Sequence, residues 1–294
     1  RPAIEMMMSV LTPVSYLIRE YQRNVEGVTA TAAGRPLAVQ KTTKNRWRIA
    51  TGGAREIAFA YRVFSHEMTV RSNWVDADFA LINGAPTFMT IAGDNGPRPH
   101  DVVLQLPAAW KTSVTGLPAH PRASAPHSYA ARDFDTLVDS PILAGNPTLH
   151  EFTVAGKPHI LASVGGGGVF DGASAARDLE RIVKAQENFW GSLPYDKYVF
   201  FNLLTGVGGG LEHRNSTVLM ASRWDQARRS TYVDWLSLAS HEYFHLWNVK
   251  RLRPIELGPF DYEREVYPRS LWIAEGVTDY YADLLNRRAD LTAP

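Results

Sequence analysis

The 294-residue sequence contains no cysteine. That absence excludes a disulfide framework, a thiolate-held zinc knuckle or iron–sulfur cluster, and a cysteine nucleophile. Any metal must therefore be held by histidine and carboxylate. A surplus of one charge is missing too: 31 Lys and Arg stand against 30 Asp and Glu, a formal net charge of +1. With no block of like charge, neither nucleic acid nor an anionic membrane is expected as a partner. No apolar run is long enough to span a bilayer, so no transmembrane segment is expected. The chain opens at Arg1 without a basic-then-apolar leader, and any signal peptide is expected to have been removed or to lie outside this sequence. A soluble protein of bacterial type is expected. Its compartment stays open between cytoplasm and periplasm, because a lack of disulfides is normal in the first and permitted in the second. No Gly-x-Ser-x-Gly elbow supports a serine hydrolase. The glycine runs at 165–168 and 208–210 lack the Lys-Ser or Lys-Thr of a phosphate cradle and read as loops, the second admitting a substrate backbone.

What is present describes a globular chain. Hydrophobic residues make up 45% and charged residues 21%, which excludes disorder as a description of the whole. The length predicts two domains. Residues 55–64 (REIAFAYRVF), HEMTVR immediately after, and residues 101–106 (DVVLQL) alternate in the manner of strands, with Gly- and Pro-rich turns between them. Residues 1–145 are therefore expected to form an antiparallel β domain, a sandwich. Residues 146–294 change character. A hairpin is predicted over 151–163, turning at Gly156-Lys157, then a helix with Leu179, Ile182, Val183 and Gln186 on one stripe, ended by Gly191. A short apolar strand, KYVFFNLL, follows. Two further helices are predicted, over 231–249 with Ser230 as N-cap, and from about Pro268 to Arg288. The whole reads as α+β, an N-terminal antiparallel β domain followed by an α+β catalytic domain.

The chemistry lies in SHEYFHLW. His241-Glu242-x-x-His245 puts two imidazoles one helical turn apart on one face, where they can take two corners of a tetrahedral zinc. Glu242 sits one residue along, close enough to act as a base without ligating. Such a site needs a third protein ligand, and Glu275 on the last predicted helix can supply it. Asp279 shares that helix face and can accept a hydrogen bond from the far nitrogen of a ligand histidine. The alternative for Glu275 is a surface carboxylate favoured by the helix dipole. Lys250, Arg251 and Arg253 read as cations placed for the dipole at a helix C-terminus, with a substrate carboxylate as the other reading. Trp247 and Trp272 read as packing beside the site.

HEYFHLWNVKRLRP, GPFDYEREVYPRSLWIAEGVTDYYADLL, GGGLEHRNSTVLM, LPYDKYVF, DTLVDSPI and TPVSYLIREYQRNVEG together make the chain resemble the glycyl aminopeptidase family of zinc metallopeptidases, related to thermolysin-like and aminopeptidase N-like gluzincins. The resemblance covers nearly the whole chain. It implies a thermolysin-like catalytic domain, one Zn2+ per chain held by His241, His245 and Glu275, and Glu242 as general base. Gly209-Gly210-Leu211-Glu212-His213 occupies the place of the relatives' Gly-x-Met-Glu-Asn strand, so Glu212 would hold the free amine of a peptide substrate. A desolvated carboxylate suits that task, since an exopeptidase must reward one positive charge at the chain end. The bland reading of Glu212 is a solvated edge-strand residue. His213 and Asn215 would help orient substrate. The implied activity is removal of small N-terminal residues, Gly or Ala, from peptides with a free N-terminus. An endopeptidase using the same zinc and a weakly catalytic peptide-binding scaffold are the alternatives. Family members continue into a helical region and a PDZ-like module, so a C-terminally truncated chain is expected, its oxyanion donor unassigned among Tyr262, Tyr267, Tyr280 and Tyr281.

Overall fold

Alternation of apolar and polar residues decides the first half. Strand β5 (Arg46–Ala50) buries Trp47 and Ile49 while Arg48 and Ala50 face solvent, the period of two that a half-covered sheet demands. In the computed structural model, which describes residues 2–13, 17–93 and 96–292, the other strands up to residue 145 are β1 (Ala3–Met8), β2 (Val25–Ala32), β3 (Arg35–Pro36), β4 (Val39–Thr43), β6 (Ala58–Val63), β7 (Trp74–Val75), β8 (Phe79–Ile82), β9 (Met89–Ile91), β10 (His100–Val103), β11 (Thr112–Thr115), β12 (Ser128–Ala131) and β13 (Ile142–Gly145). One short helix, α1 (Phe134–Val138), precedes β13. Residues 14–16 of the TPVSYLIREYQRNVEG block, residues 94–95 of a turn cluster, and the ends at Arg1 and Pro294 lie outside the described residues.

These strands pair antiparallel in the orders β4-β5-β1-β9, β3-β2-β6, β11-β13-β8-β7 and β10-β12. Met7, Met8, Trp47 and Met89 meet Phe59, Tyr61 and Val25 from the facing sheet, so the first two sheets form a sandwich. HEMTVR is not a strand. Thr69 Oγ1 accepts from the backbone N–H of Arg71 and of Ser72, and that local bonding turns the chain where a ladder was expected.

The second half is built on one five-stranded sheet, ordered β14-β15-β16-β18-β17, from β14 (Thr148–Val154), β15 (Lys157–Val164), β16 (Tyr198–Leu203), β17 (Gly209–Glu212) and β18 (Ser216–Met220). The inner strands β15, β16 and β18 run parallel and the outer two antiparallel to their neighbours. The hairpin turns at Ala155-Gly156, one residue before the expected pair, because both take positive φ (47° and 74°) as a two-residue I′ loop requires. All six residues of β16 are buried, since both faces of this sheet are covered. One face packs on α2 (Gly172–Trp190), α3 (Arg229–Phe244) and their neighbours through Leu179, Ile182, Tyr198, Phe200 and Trp235. The other meets Phe79, Leu81, Val114 and Leu143 of the first half through Val199, Phe201 and Val218.

Helix α2 starts at Asp171, whose Oδ1 accepts from Ser174 N–H, and stops at Gly191 with φ 79°. Its Gln186 donates to the Ser240 carbonyl at 2.9 Å, tying α2 to α3. Helix α3 departs from expectation at both ends. Its N-cap is Arg228, in extended geometry, with no side-chain cap bond. Ser230 lies inside the first turn, and the neighbouring Thr231 hydroxyl donates back to the Asp225 carbonyl. The helix stops at Phe244 with His245 as C-cap instead of running to residue 249. The His245 ring reaches the Asn248 carbonyl and the Lys250 N–H donates to the His245 carbonyl, so the chain closes into turns. The last helix, α4 (Leu271–Arg288), begins after Ser270. Among the described residues no helix is long and apolar enough to cross a membrane.

Candidate metal centre

The end of α3 lies between α4 and the edge strand β17. His241 and Glu242 occupy its last turn and His245 its cap, while Glu275 and Asp279 face them from successive turns of α4. His241 Nδ1 lies 2.7 Å from Asp279 Oδ1, and His245 Nδ1 lies 2.8 Å from the Asn248 carbonyl. Each Nδ1 is therefore a donor, which leaves Nε2 as the atom of each ring that can offer a lone pair to a metal when it carries no proton. Those two Nε2 atoms are 2.9 Å apart, and Glu275 Oε2 is 3.5 Å from both. Two imidazole nitrogens and a carboxylate oxygen aimed at one point could hold a cation between them. Ligand atoms of a tetrahedral zinc stand roughly 3.3 Å apart at ordinary bond lengths, so the donor set and its spacing fit zinc.

The electrostatics show negative charge concentrated at the same point, where a proton and a metal ion compete for the imidazoles. The carboxylate of Glu275, about half exposed, is held well below its usual range by His241 and His245. Burial would depress both imidazoles, but it is outweighed. Glu212, Glu275 and Glu242 lift His245 to about 9, and the Glu275 contact lifts His241. Glu242 moves the opposite way for an acid. Its burial and the charge of Glu212 push it up to about 8. Glu212, Glu242 and His245 offer ligand atoms all within 4.8 Å of one another. Glu242 Oε2 is buried without a hydrogen-bond partner.

Strand β17 makes room for this cluster. A Cβ at Gly210 would stand 2.1 Å from Glu242 Oε1, so only glycine lets the strand pass this close to the carboxylate. Glu212 ends the strand and is buried, which removes the solvated edge-strand reading. Asn248 braces the centre from below: its Nδ2 donates to the carbonyls of Ile273 and Ala274 and to Thr278 Oγ1, all about α4. Asn248 carries no periodic signal in the sequence and was missed there; Gly210 reads there as admitting a substrate backbone, and the close approach it permits in the structure is to the Glu242 carboxylate.

Several residues sit elsewhere than the sequence suggested. Lys250 is buried and pairs with Asp139 at 2.8 Å, rather than serving the helix dipole. Arg251 donates to the carbonyls of Leu246, Pro194 and Arg214, and Arg253 lies over the Phe260 ring. His213 Nδ1 is committed to Asp139, and Asn215 Nδ2 to the Gly116 carbonyl. Trp247 stacks on Trp190, but Trp272 is exposed and does not pack. Tyr262 donates to Asp135, Tyr281 stacks on Phe244, and Tyr267 and Tyr280 are exposed.

The comparisons follow the same lines. Residues 1–146 match the Peptidase M61 N-terminal domain, and residues 234–294 match the M61 glycyl aminopeptidase. Among solved structures, an aminopeptidase N family protein from Idiomarina loihiensis superposes with a TM-score of 0.92 at 32% identity over 98% of this chain and 50% of its own. The aminopeptidase A of Legionella pneumophila, solved with aspartic acid, gives 0.60 at 12% identity over 98% of this chain and 34% of its own. An M1 zinc metallopeptidase from Deinococcus radiodurans gives 0.54 at 13% identity over 99% of this chain and 64% of its own. At those identities the last two share the fold alone. The chain thus spans about half the length of its Idiomarina relative or less of the Legionella one. A comparison with curated proteins returned no match. Both halves point one way, and the chain belongs to the M61 glycyl aminopeptidase family.

Proposed function

We propose that this chain carries the reaction centre of a zinc aminopeptidase, with residues 1–145 as its β domain and 146–294 as its catalytic domain. The observation that carries the reading is the convergence of His241 Nε2, His245 Nε2 and Glu275 Oε2 on one point. These three would hold one Zn2+. Asp279 would keep the His241 ring turned and its Nε2 unprotonated. Bound there, zinc supplies a Lewis acid that acidifies water and polarises a peptide carbonyl.

The remaining work falls to the protein. Glu242 Oε2, the oxygen without a partner, takes the proton from the attacking water and hands it to the departing amine. A nearby cation draws Glu242 back from about 8 towards its ionised form, which a base requires. Glu212 holds the α-ammonium of the substrate, and the crowding of two carboxylates beside His245 supports this, because a cation relieves it. Catalysis then acts at the first peptide bond. The preference for Gly or Ala rests on the family alone.

The test is zinc content by elemental analysis, in wild type and His245→Ala, joined to hydrolysis of a glycyl dipeptide and its N-acetyl form. About one zinc per chain, lost in the variant, with cleavage abolished by acetylation, is expected. Zinc retained by His245→Ala overturns the site. Cleavage that survives acetylation replaces the aminopeptidase with an endopeptidase, and zinc without turnover leaves a peptide-binding scaffold.

A further inference from the structure

The edge strand β17 has a partner on one side only, yet its last residue must be held to a fraction of an ångström if Glu212 is to meet a single ammonium. What holds it comes from elsewhere in the chain. Asp139, the residue that closes α1 in the first half, is buried, and its carboxylate is surrounded. Oδ1 accepts from His213 Nδ1 at 3.0 Å and from Lys250 Nζ at 2.8 Å, and Oδ2 accepts from the Arg214 backbone N–H at 3.1 Å. A second grip lies beside the first. Asn215 Nδ2 donates to the Gly116 carbonyl at 2.8 Å, and a Cβ on Gly116 would stand 2.4 Å from Asn215 Oδ1.

The turn 213–215 between β17 and β18 is thus grasped at all three of its residues by the first half. Lys250, five residues past His245, closes the same cluster from the metal-binding side. The anchor end is stiff as well. A Cβ on Gly84 would stand 2.5 Å from the Val138 Cα, so the end of α1 lies directly on the backbone after β8. All the bonds to the Asp139 carboxylate are made, while His213 Nε2 is buried without a partner; a buried ion cluster of this kind fixes geometry more than it adds stability.

We propose that Asp139 is a positioning residue for the substrate amine: through His213, the Arg214 N–H and Lys250 it sets Glu212 at a fixed distance from the end of α3. Asp139 touches neither the metal ligands nor the reacting atoms. Its effect is confined to the amine, and the β domain thereby becomes part of the exopeptidase specificity. The inference rests on the reading of Glu212 as amine anchor.

The experiment uses the full-length protein loaded with zinc, and measures inhibition constants of glycine hydroxamate and N-acetylglycine hydroxamate. Both carry the same metal-binding group, and only the first has an ammonium. Wild type is expected to favour the free amine by about 10–100-fold, and Glu212→Gln to abolish that ratio. Asp139→Asn is expected to lower the ratio about tenfold, with zinc content and the constant for the acetylated compound unchanged. His213→Leu, which leaves the Asp139–Lys250 pair whole, and Asp139→Asn/Lys250→Met, which removes both buried charges together, should do the same. They also separate positioning from a failure to fold. On dipeptide substrates the same variants should raise KM more than they lower kcat. A wild-type ratio in any of these variants that is folded and zinc-loaded overturns the proposal. If Glu212→Gln leaves the ratio intact, the amine-anchor reading itself fails, and the positioning role falls with it.

Discussion

Two buried clusters, both centred on a carboxylate and both beside the end of α3, titrate in opposite directions. At Asp139 burial alone would raise the carboxyl, but Lys250 and His213 outweigh it and hold it down at about 2. At Glu242 burial is reinforced by Glu212, and the group rises to about 8. The first cluster has its donors built in. The second has an oxygen with no partner, a like charge beside it and two imidazoles close by. Burial by itself therefore says little about what a carboxylate is for. What separates a structural acid from a reactive one is whether the fold supplies the opposite charge or leaves it to a ligand.

Substitution should separate the two clusters cleanly. Glu242→Gln is expected to lower kcat by about 10²–10⁴-fold while leaving zinc content intact and thermal stability undiminished, because it removes a repulsion. Undiminished turnover would end the general-base role. Asp139→Asn should instead cost about 3–5 kcal/mol of unfolding free energy in denaturant titration, since Lys250 is left buried and unpaired, and equal losses in both variants would erase the contrast. Gly210→Ala forces a methyl against the Glu242 carboxylate. Its kcat should fall by about 10²-fold without the stability loss of Asp139→Asn, as steady-state kinetics and melting would show together.

Smaller effects sharpen the same contrast. Asp279→Asn should weaken zinc binding about 10–100-fold in a chelator competition, whereas the Asp139 variants leave it unchanged. In acid and alkali the two carboxylates bear on stability at opposite ends. Asp139 has a depressed folded pKa, so its contribution is present above the usual carboxylate range and is lost as pH falls through about 2. Glu242 has a raised one, so in chelated protein its contribution is present in acid and is lost as pH rises through about 8. Glu242→Gln should therefore narrow the stability difference between pH 5 and pH 9 by on the order of 4 kcal/mol. An unchanged difference would mean that Glu242 is not the group responsible.

The sequence by itself determined what local spacing can encode. His241 and His245 share a face because a helix returns every 3.6 residues. Glu275 and Asp279 share one for the same reason, and the stripe of α2 and the stop at Gly191 follow from periodicity and from the left-handed conformation glycine permits. The alternation of β6 and β10 is legible likewise. The misreadings are also local ones. HEMTVR alternates like a strand but turns on Thr69, and α3 ends at Phe244 because His245 and the following residues bond back on it. Only the tertiary structure decided which distant residues meet. Asp139, Lys250 and His213 are far apart in the chain and individually unremarkable as residue types. Asn248 and Gly210 matter solely for what α4 and Glu242 bring against them. Periodicity reports which face a side chain points to, and the carboxylate partners across that face are chosen by packing, at separations no local pattern spans.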